Sequence, residues 1–171
     1  MATALLAFWT KPGAGCRIID TNLSGRELRS DYWDRPAFET IRPRRLTAPI
    51  VFNSAHSGRD YPDRFLAMTR LDQLSIRQSE DAWVDELFAR APHLGTPLLR
   101  AHFPRAYLDV NREPWELDPQ MFVEPLSDRF NTTSPRVAAG LGTLARVVAE
   151  NKPIYRERLT LDDARMRIEG I

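Results

Sequence analysis

The chain has 171 residues, 43% hydrophobic and 27% charged, which is enough apolar material for one globular domain and argues against disorder. Its formal net charge of +1 creates no field that would select a nucleic acid or an anionic membrane, so neither is expected as a partner. The single cysteine, Cys16, leaves no internal disulfide, and a reducing, cytoplasmic setting is the expectation.

Residues 1–45 carry scattered Pro, Gly and charge and close on Arg42-Pro43-Arg44-Arg45; they read as an N-terminal extension, with 46–171 as the domain proper. Within the extension, the apolar run Ala2 to Trp9 is broken by Lys11 and Pro12 and is too short to span a membrane. The interruption also weakens the likeness of Gly13-Ala14-Gly15-Cys16 to a lipidation box. Ile50-Val51-Phe52 reads as a buried strand that enters a turn at Asn53-Ser54 and Gly58. Pro62 to Met68 suits a short helix opened by proline.

Ser79 has the chemistry of an N-cap, with Glu80 and Asp81 in the first turn, Val84, Leu87, Phe88 and Ala91 at helical spacing, and Pro92 as the stop. Further strands are expected to begin at Pro97-Leu98-Leu99 and Tyr107-Leu108-Asp109-Val110, and another over Thr143 to Val148. Between them, 113–135 reads as a long loop, and Gly140-Leu141-Gly142 as a turn rather than a dinucleotide fingerprint. Thr160 caps a last helix, with Asp163 at the capping-box position. The sequence stops inside that helix, so a truncated domain is expected. Strands alternating with helices predict an α/β layered fold.

Three clusters could carry chemistry. His56 sits where a strand gives way to a Gly-containing turn, the edge at which open α/β sheets bind ligands; imidazole there is a metal ligand or a backbone-satisfied turn residue. Glu80 and Asp81 could give one metal ligand and one orienting carboxylate, or only complement a helix dipole. Asp109-Val110-Asn111-Arg112-Glu113 could clamp a carboxylate through Arg112 with Asn111 beside it, or form a local ion pair; Arg105 is a second cation nearby. His93 and His102 lack a partner pattern, and Trp83 and Trp115 suit packing.

Three longer segments, in order, carry a resemblance. Asn53-Ser54-Ala55-His56-Ser57-Gly58-Arg59-Asp60-Tyr61-Pro62, Arg77-Gln78-Ser79-Glu80-Asp81-Ala82-Trp83-Val84-Asp85 and Phe103 to Pro114 resemble the successive motifs of N-formylglutamate amidohydrolases. Glu116 to Pro119, Gly140 to Thr143 and Ile154-Tyr155 continue the likeness. The resemblance implies an α/β fold with a mixed sheet flanked by helices, similar to zinc carboxypeptidases (phosphorylase/hydrolase-like) and here truncated. It implies hydrolysis of N-formyl-L-glutamate to formate and L-glutamate in histidine catabolism, by a water activated on Zn2+ or another divalent transition metal. Carried over, His56 and Glu80 would be metal ligands, Asp81 and Asp109 their orienting carboxylates, Asn111, Arg112 and Ser57 substrate-binding residues, and Arg105 a catalytic group. The partner would be a small molecule with a free carboxylate. A later Asp-Cys-His-Ser type motif, expected to bring a third ligand and a base, has no match in 1–171, so a missing C-terminal portion of the same domain is a further expected partner. The alternatives are an amidohydrolase for another N-acyl amino acid, or an inactive remnant that serves as a binding domain.

Overall fold

The structure is a computed structural model that describes residues 36–171; Cys16 and the apolar run at Ala2 to Trp9 lie outside them. A three-stranded sheet holds the domain's centre. Strand β1 (Phe38–Ile41) and strand β2 (Phe52–Ser54) flank β3 (Leu98–Ala101), β1 antiparallel and β2 parallel to it. The sheet is therefore mixed, as expected. Strand β1 falls inside the stretch read as an extension. It is half exposed, with Phe38 open to solvent, so its sequence signal is weak; its pairing along the whole of β3 makes it part of the sheet.

The expected strand at Ile50 begins two residues later, and the chain then enters helix α1 (Asp63–Met68), opened by Pro62. Its Phe65 is fully buried, edge-on to Tyr107 at 5.6 Å and Tyr155 at 6.1 Å. Asp72 caps α2 (Gln73–Ile76) by accepting from the amides of Leu74 and Ser75. The long helix expected from Ser79 to Pro92 is broken. Ser79 ends a 3-10 turn, Glu80 is extended, Trp83 is left-handed at φ 67, and α3 covers only Val84–Leu87. The cause is tertiary: the Asp81 amide donates to the His56 carbonyl (3.0 Å) instead of joining a helix.

Tyr107 to Val110 is not a strand either. The Tyr107 and Leu108 amides turn back to the Pro104 carbonyl, and Ala106, Tyr107 and Leu108 are all buried. A turn sunk in the core reads as a continuous apolar run, which periodicity cannot tell from a buried strand. Ser134 caps α4 (Pro135–Ala138). The strand expected over Thr143 to Val148 contracts to β4 (Val147–Val148), paired antiparallel with β5 (Lys152–Pro153). Helix α5 (Leu161–Glu169) has the predicted reciprocal cap between Thr160 and Asp163, and it stops ahead of Gly170 instead of running through Ile171. No helix among the described residues is long and apolar enough to cross a membrane.

The core gathers Phe65, Phe103, Tyr107, Leu117, Leu144 and Ile154. Arg167 of α5 is sunk into it, 0% exposed, with its guanidinium carbon 4.9 Å from the Tyr107 ring centre, 5.4 Å from Phe65 and 5.6 Å from Tyr155.

The link from β2 to α1 runs tight against the exit of β3, with the Asp60 amide donating to the His102 carbonyl at 2.9 Å. A Cβ on Gly58 would stand 2.6 Å from the His102 carbonyl carbon and closer still to the Phe103 carbonyl oxygen. Both neighbours are backbone and cannot swing away. Gly58→Ala is therefore expected to cost about 1–3 kcal/mol or more, read as a lowered urea midpoint at unchanged slope. A wild-type midpoint would refute the close approach.

Candidate active site

Because β2 and β3 are parallel, their carboxyl ends share one edge of the sheet, and His56 stands two residues past β2 at that edge. Its ring lies between two carboxylates. Nε2 is 2.8 Å from Asp109 Oδ1, and Nδ1 is 3.3 Å from Asp81 Oδ2. Asp109 is delivered by the buried turn after β3, and Asp81 by the segment whose amide is pinned to the His56 carbonyl.

Asp109 is 3% exposed and heavily supported. Its Oδ2 faces Arg105 Nη2 at 2.8 Å and Arg112 Nη2 at 3.4 Å, and its Oδ1 accepts from the Asn111 amide at 3.0 Å. Burial works to raise its pKa, but the hydrogen bond and charge of His56 and the charge of Arg105 outweigh it and hold the carboxyl well below the usual carboxylate range. An ionised carboxylate only accepts hydrogen bonds, so the proton on the His56–Asp109 axis belongs to Nε2.

Without a second proton on the ring, Nδ1 presents a lone pair to Asp81 Oδ2. Two acceptors at 3.3 Å repel unless a proton or a cation lies between them. Two ligand atoms held about 2.0–2.1 Å from a tetrahedral ion are themselves about 3.3–3.4 Å apart. Imidazole nitrogen and carboxylate oxygen are both donors that zinc accepts. His56 and Asp81 thus fit two positions around a divalent ion, with Asp109 orienting the ring as carboxylates do behind metal-binding histidines. Among the described residues no cluster of three or more His, Cys, Asp or Glu could hold a metal.

Glu80 departs from its expected place. Tyr61 donates to its Oε1 at 2.6 Å and Arg77 to its Oε2 at 3.2 Å, so both oxygens are already engaged. Burial and the Glu80 hydrogen bond push the Tyr61 phenol well above its ordinary pKa, which keeps it a proton donor. The roles expected for Glu80 and Asp81 are thereby exchanged in geometry: Asp81 reaches the imidazole, and Glu80 anchors the segment. Ser57 departs as well. It is 1% exposed, paired with Ser54 Oγ at 2.6 Å, and lines a different, smaller cavity with Arg59, Asp85, Arg100 and His102.

Arg112 and Arg105 also differ from the expected division of labour. Arg112 Nε donates to the Leu141 carbonyl at 2.9 Å, its Nη1 to the Asn111 carbonyl at 2.8 Å, and its Nη2 faces Asp109, so it braces backbone. Asn111 is exposed and is drawn into this brace through its backbone. Arg105, by contrast, lines a cavity of about 440 Å3 together with Asp81, Asp109, Leu141, Val147 and Val148. Tyr61 and Arg77, which position Glu80, lie within the first and second motifs, where their side chains carry no sequence signal of this role. The aliphatic wall at Val147 and Val148 had no sequence signal beyond strand propensity.

His93 is exposed, and His102 Nδ1 bonds the Pro36 carbonyl at 2.7 Å, in keeping with structural roles. Trp83 does pack, over the Arg59 guanidinium at 4.4 Å, although it stays half exposed.

The sequence model of the family described as N-formylglutamate amidohydrolase matches residues 48–171. Among solved structures, the N-formylglutamate amidohydrolase from Ralstonia eutropha JMP134 superimposes with a TM-score of 0.70 at 32% identity, over 78% of this chain and 46% of that one. The chain therefore spans about half the length of that structure. No curated protein matches it. The mixed α/β fold is thus similar to that of an amidohydrolase; a likeness to zinc carboxypeptidases remains an implication of the sequence motifs.

Proposed function

The chain belongs to the N-formylglutamate amidohydrolase family, and on that premise we propose that it serves to hydrolyse the formyl amide of an N-formyl amino acid with a free α-carboxylate, the class to which N-formyl-L-glutamate belongs. The observation that carries this reading is the His56 ring set between Asp109 and Asp81 beside a cavity whose wall includes Arg105. A divalent ion such as Zn2+, held by His56 Nδ1 and Asp81, would polarise the formyl oxygen and acidify a water for attack.

The remaining roles belong to side chains of this chain. Asp109 keeps the proton on His56 Nε2 and so keeps Nδ1 free to bind. Tyr61 and Arg77 hold Glu80, which fixes the backbone from which Asp81 projects. Arg105, of whose nitrogens only Nη2 is hydrogen-bonded among the described residues, receives the α-carboxylate and sets the distance from it to the formyl group. A catalytic metal usually takes three protein ligands, and two stand at this point of the described residues.

Arg105→Gln should weaken binding of N-formyl-L-alanine by about 10-fold or more while leaving its methyl ester nearly unaffected, as measured by calorimetry with Zn2+ present. Arg112→Ala should lower thermal stability and change the acid-to-ester ratio little, because its donors serve Leu141, Asn111 and Asp109. Equal losses for acid and ester in Arg105→Gln would remove that residue from carboxylate recognition.

A further inference from the structure

Asp81 stands on irregular backbone between a 3-10 turn and α3. Its side chain is 41% exposed, so packing does little to aim it, and the backbone on either side has to hold it against His56. Upstream, Tyr61 and Arg77 engage Glu80. Downstream, the chain passes through Trp83 at φ 67, in the left-handed region, where a bulky side chain is strained. Such a conformation persists only where its surroundings enforce it. Here they converge on Arg59. Its guanidinium carbon lies 4.4 Å from the Trp83 ring centre, and its Nη2 is 3.2 Å from Asp85 Oδ2 and 3.1 Å from Glu86 Oε1. Asp85 is 6% exposed, and its Oδ2 also faces Arg100 Nη1 at 3.6 Å, which ties β3 to the same point.

We infer that Arg59 is a positioning residue for the site, fixing where Asp81 stands against His56, an inference that rests on reading those two residues as metal ligands. Arg59 lies three residues beyond His56, on the loop held to β3 by the Asp60 amide and by the close approach at Gly58. One side chain thus joins the loop of one ligand to the segment of the other. It acts through Trp83 and Asp85 and not by binding metal. A guanidinium suits the task because its planar face can lie on the indole while its edge donates to carboxylates, which the ammonium of lysine cannot do at once. Loss of Arg59 should therefore leave the fold in place and free the backbone from which Asp81 projects.

The test takes two readings on the 171-residue chain: Zn2+ affinity by chelator competition, and hydrogen exchange of the Asp81 amide without metal. Arg59→Met, which keeps the length of the stem, should weaken zinc binding by about 10-fold, and Arg59→Lys should recover part of that loss. In an Asp81→Ala background the methionine change should alter zinc affinity by less than about 2-fold, since its path to the metal is gone. Exchange at Asp81 should quicken by about 10-fold in Arg59→Met, while the β3 amides keep their wild-type rates. Trp83→Leu, at a half-exposed position, makes the same test should Arg59→Met fail to fold. An undiminished zinc affinity, a loss that persists in the Asp81→Ala background, or equal quickening across β3 overturns the positioning role and leaves the hydrolase reading standing. Absence of zinc binding in wild type overturns the metal reading instead, and exchange at Asp81 then decides whether Arg59 holds that segment.

Discussion

Replacing Asp81 or His56 by alanine should lower the affinity of the chain for Zn2+ by more than about 100-fold, whereas Glu80→Gln should leave it within about 3-fold. The contrast follows from where the oxygens go. Asp81 Oδ2 faces His56 Nδ1 at 3.3 Å, while both Glu80 oxygens are engaged by Tyr61 and Arg77. Asp109→Asn should fall between, with a loss of about 10–100-fold, because an amide at that position still accepts from Nε2 but no longer makes the imidazole more basic. Competition against a chromophoric chelator measures all four variants, and circular dichroism checks that each is folded. Loss of zinc binding in Glu80→Gln with retention in Asp81→Ala would return the ligand role to Glu80.

Arg167→Ala should destabilise the domain by about 3–5 kcal/mol, the sum of a large cavity and the lost interaction of a desolvated cation with three aromatic faces. At about 2–4 °C per kcal/mol for a chain of this size, Tm should fall by roughly 10 °C. The guanidinium is fully buried, donates to the Tyr155 hydroxyl at 2.9 Å, and leaves its Nε without a partner among the described residues. That incomplete hydrogen bonding makes the choice of replacement informative. Arg167→Met keeps the volume and removes a buried charge, so it should cost less than alanine. Arg167→Lys keeps the charge on a compact, strongly hydrated head that cannot lie flat on the rings, so it should cost more than methionine. Wild-type stability in the lysine variant would show that any cation suffices and that the ring contacts contribute little.

This core feature also bears on the site. Tyr107, against which Arg167 stacks, lies in the turn that carries Arg105 and Asp109. Loosening the core at Arg167 should therefore weaken zinc binding through Asp109, although Arg167 touches none of the candidate ligands.

Much of this protein can be read from local chemistry. Pro62 opening α1, the reciprocal cap of Thr160 and Asp163, the turn at Gly140 and the position of His56 just past a strand each depend on a few neighbouring residues, so sequence alone suffices for them. The ordered motifs determined the family for the same reason, since each is contiguous. Which carboxylate meets the imidazole is another matter. Glu80 is extended and interrupts the helical spacing, so sequence cannot say whether residue 80 or 81 meets His56. The hydrogen bond from the Asp81 amide to the His56 carbonyl, between residues 25 positions apart, makes that decision. The turn at 104–109 and the assignment of cation roles to Arg105 and Arg112 were likewise settled by packing, because a buried apolar run and two arginines seven residues apart carry no record of which face the cavity will occupy.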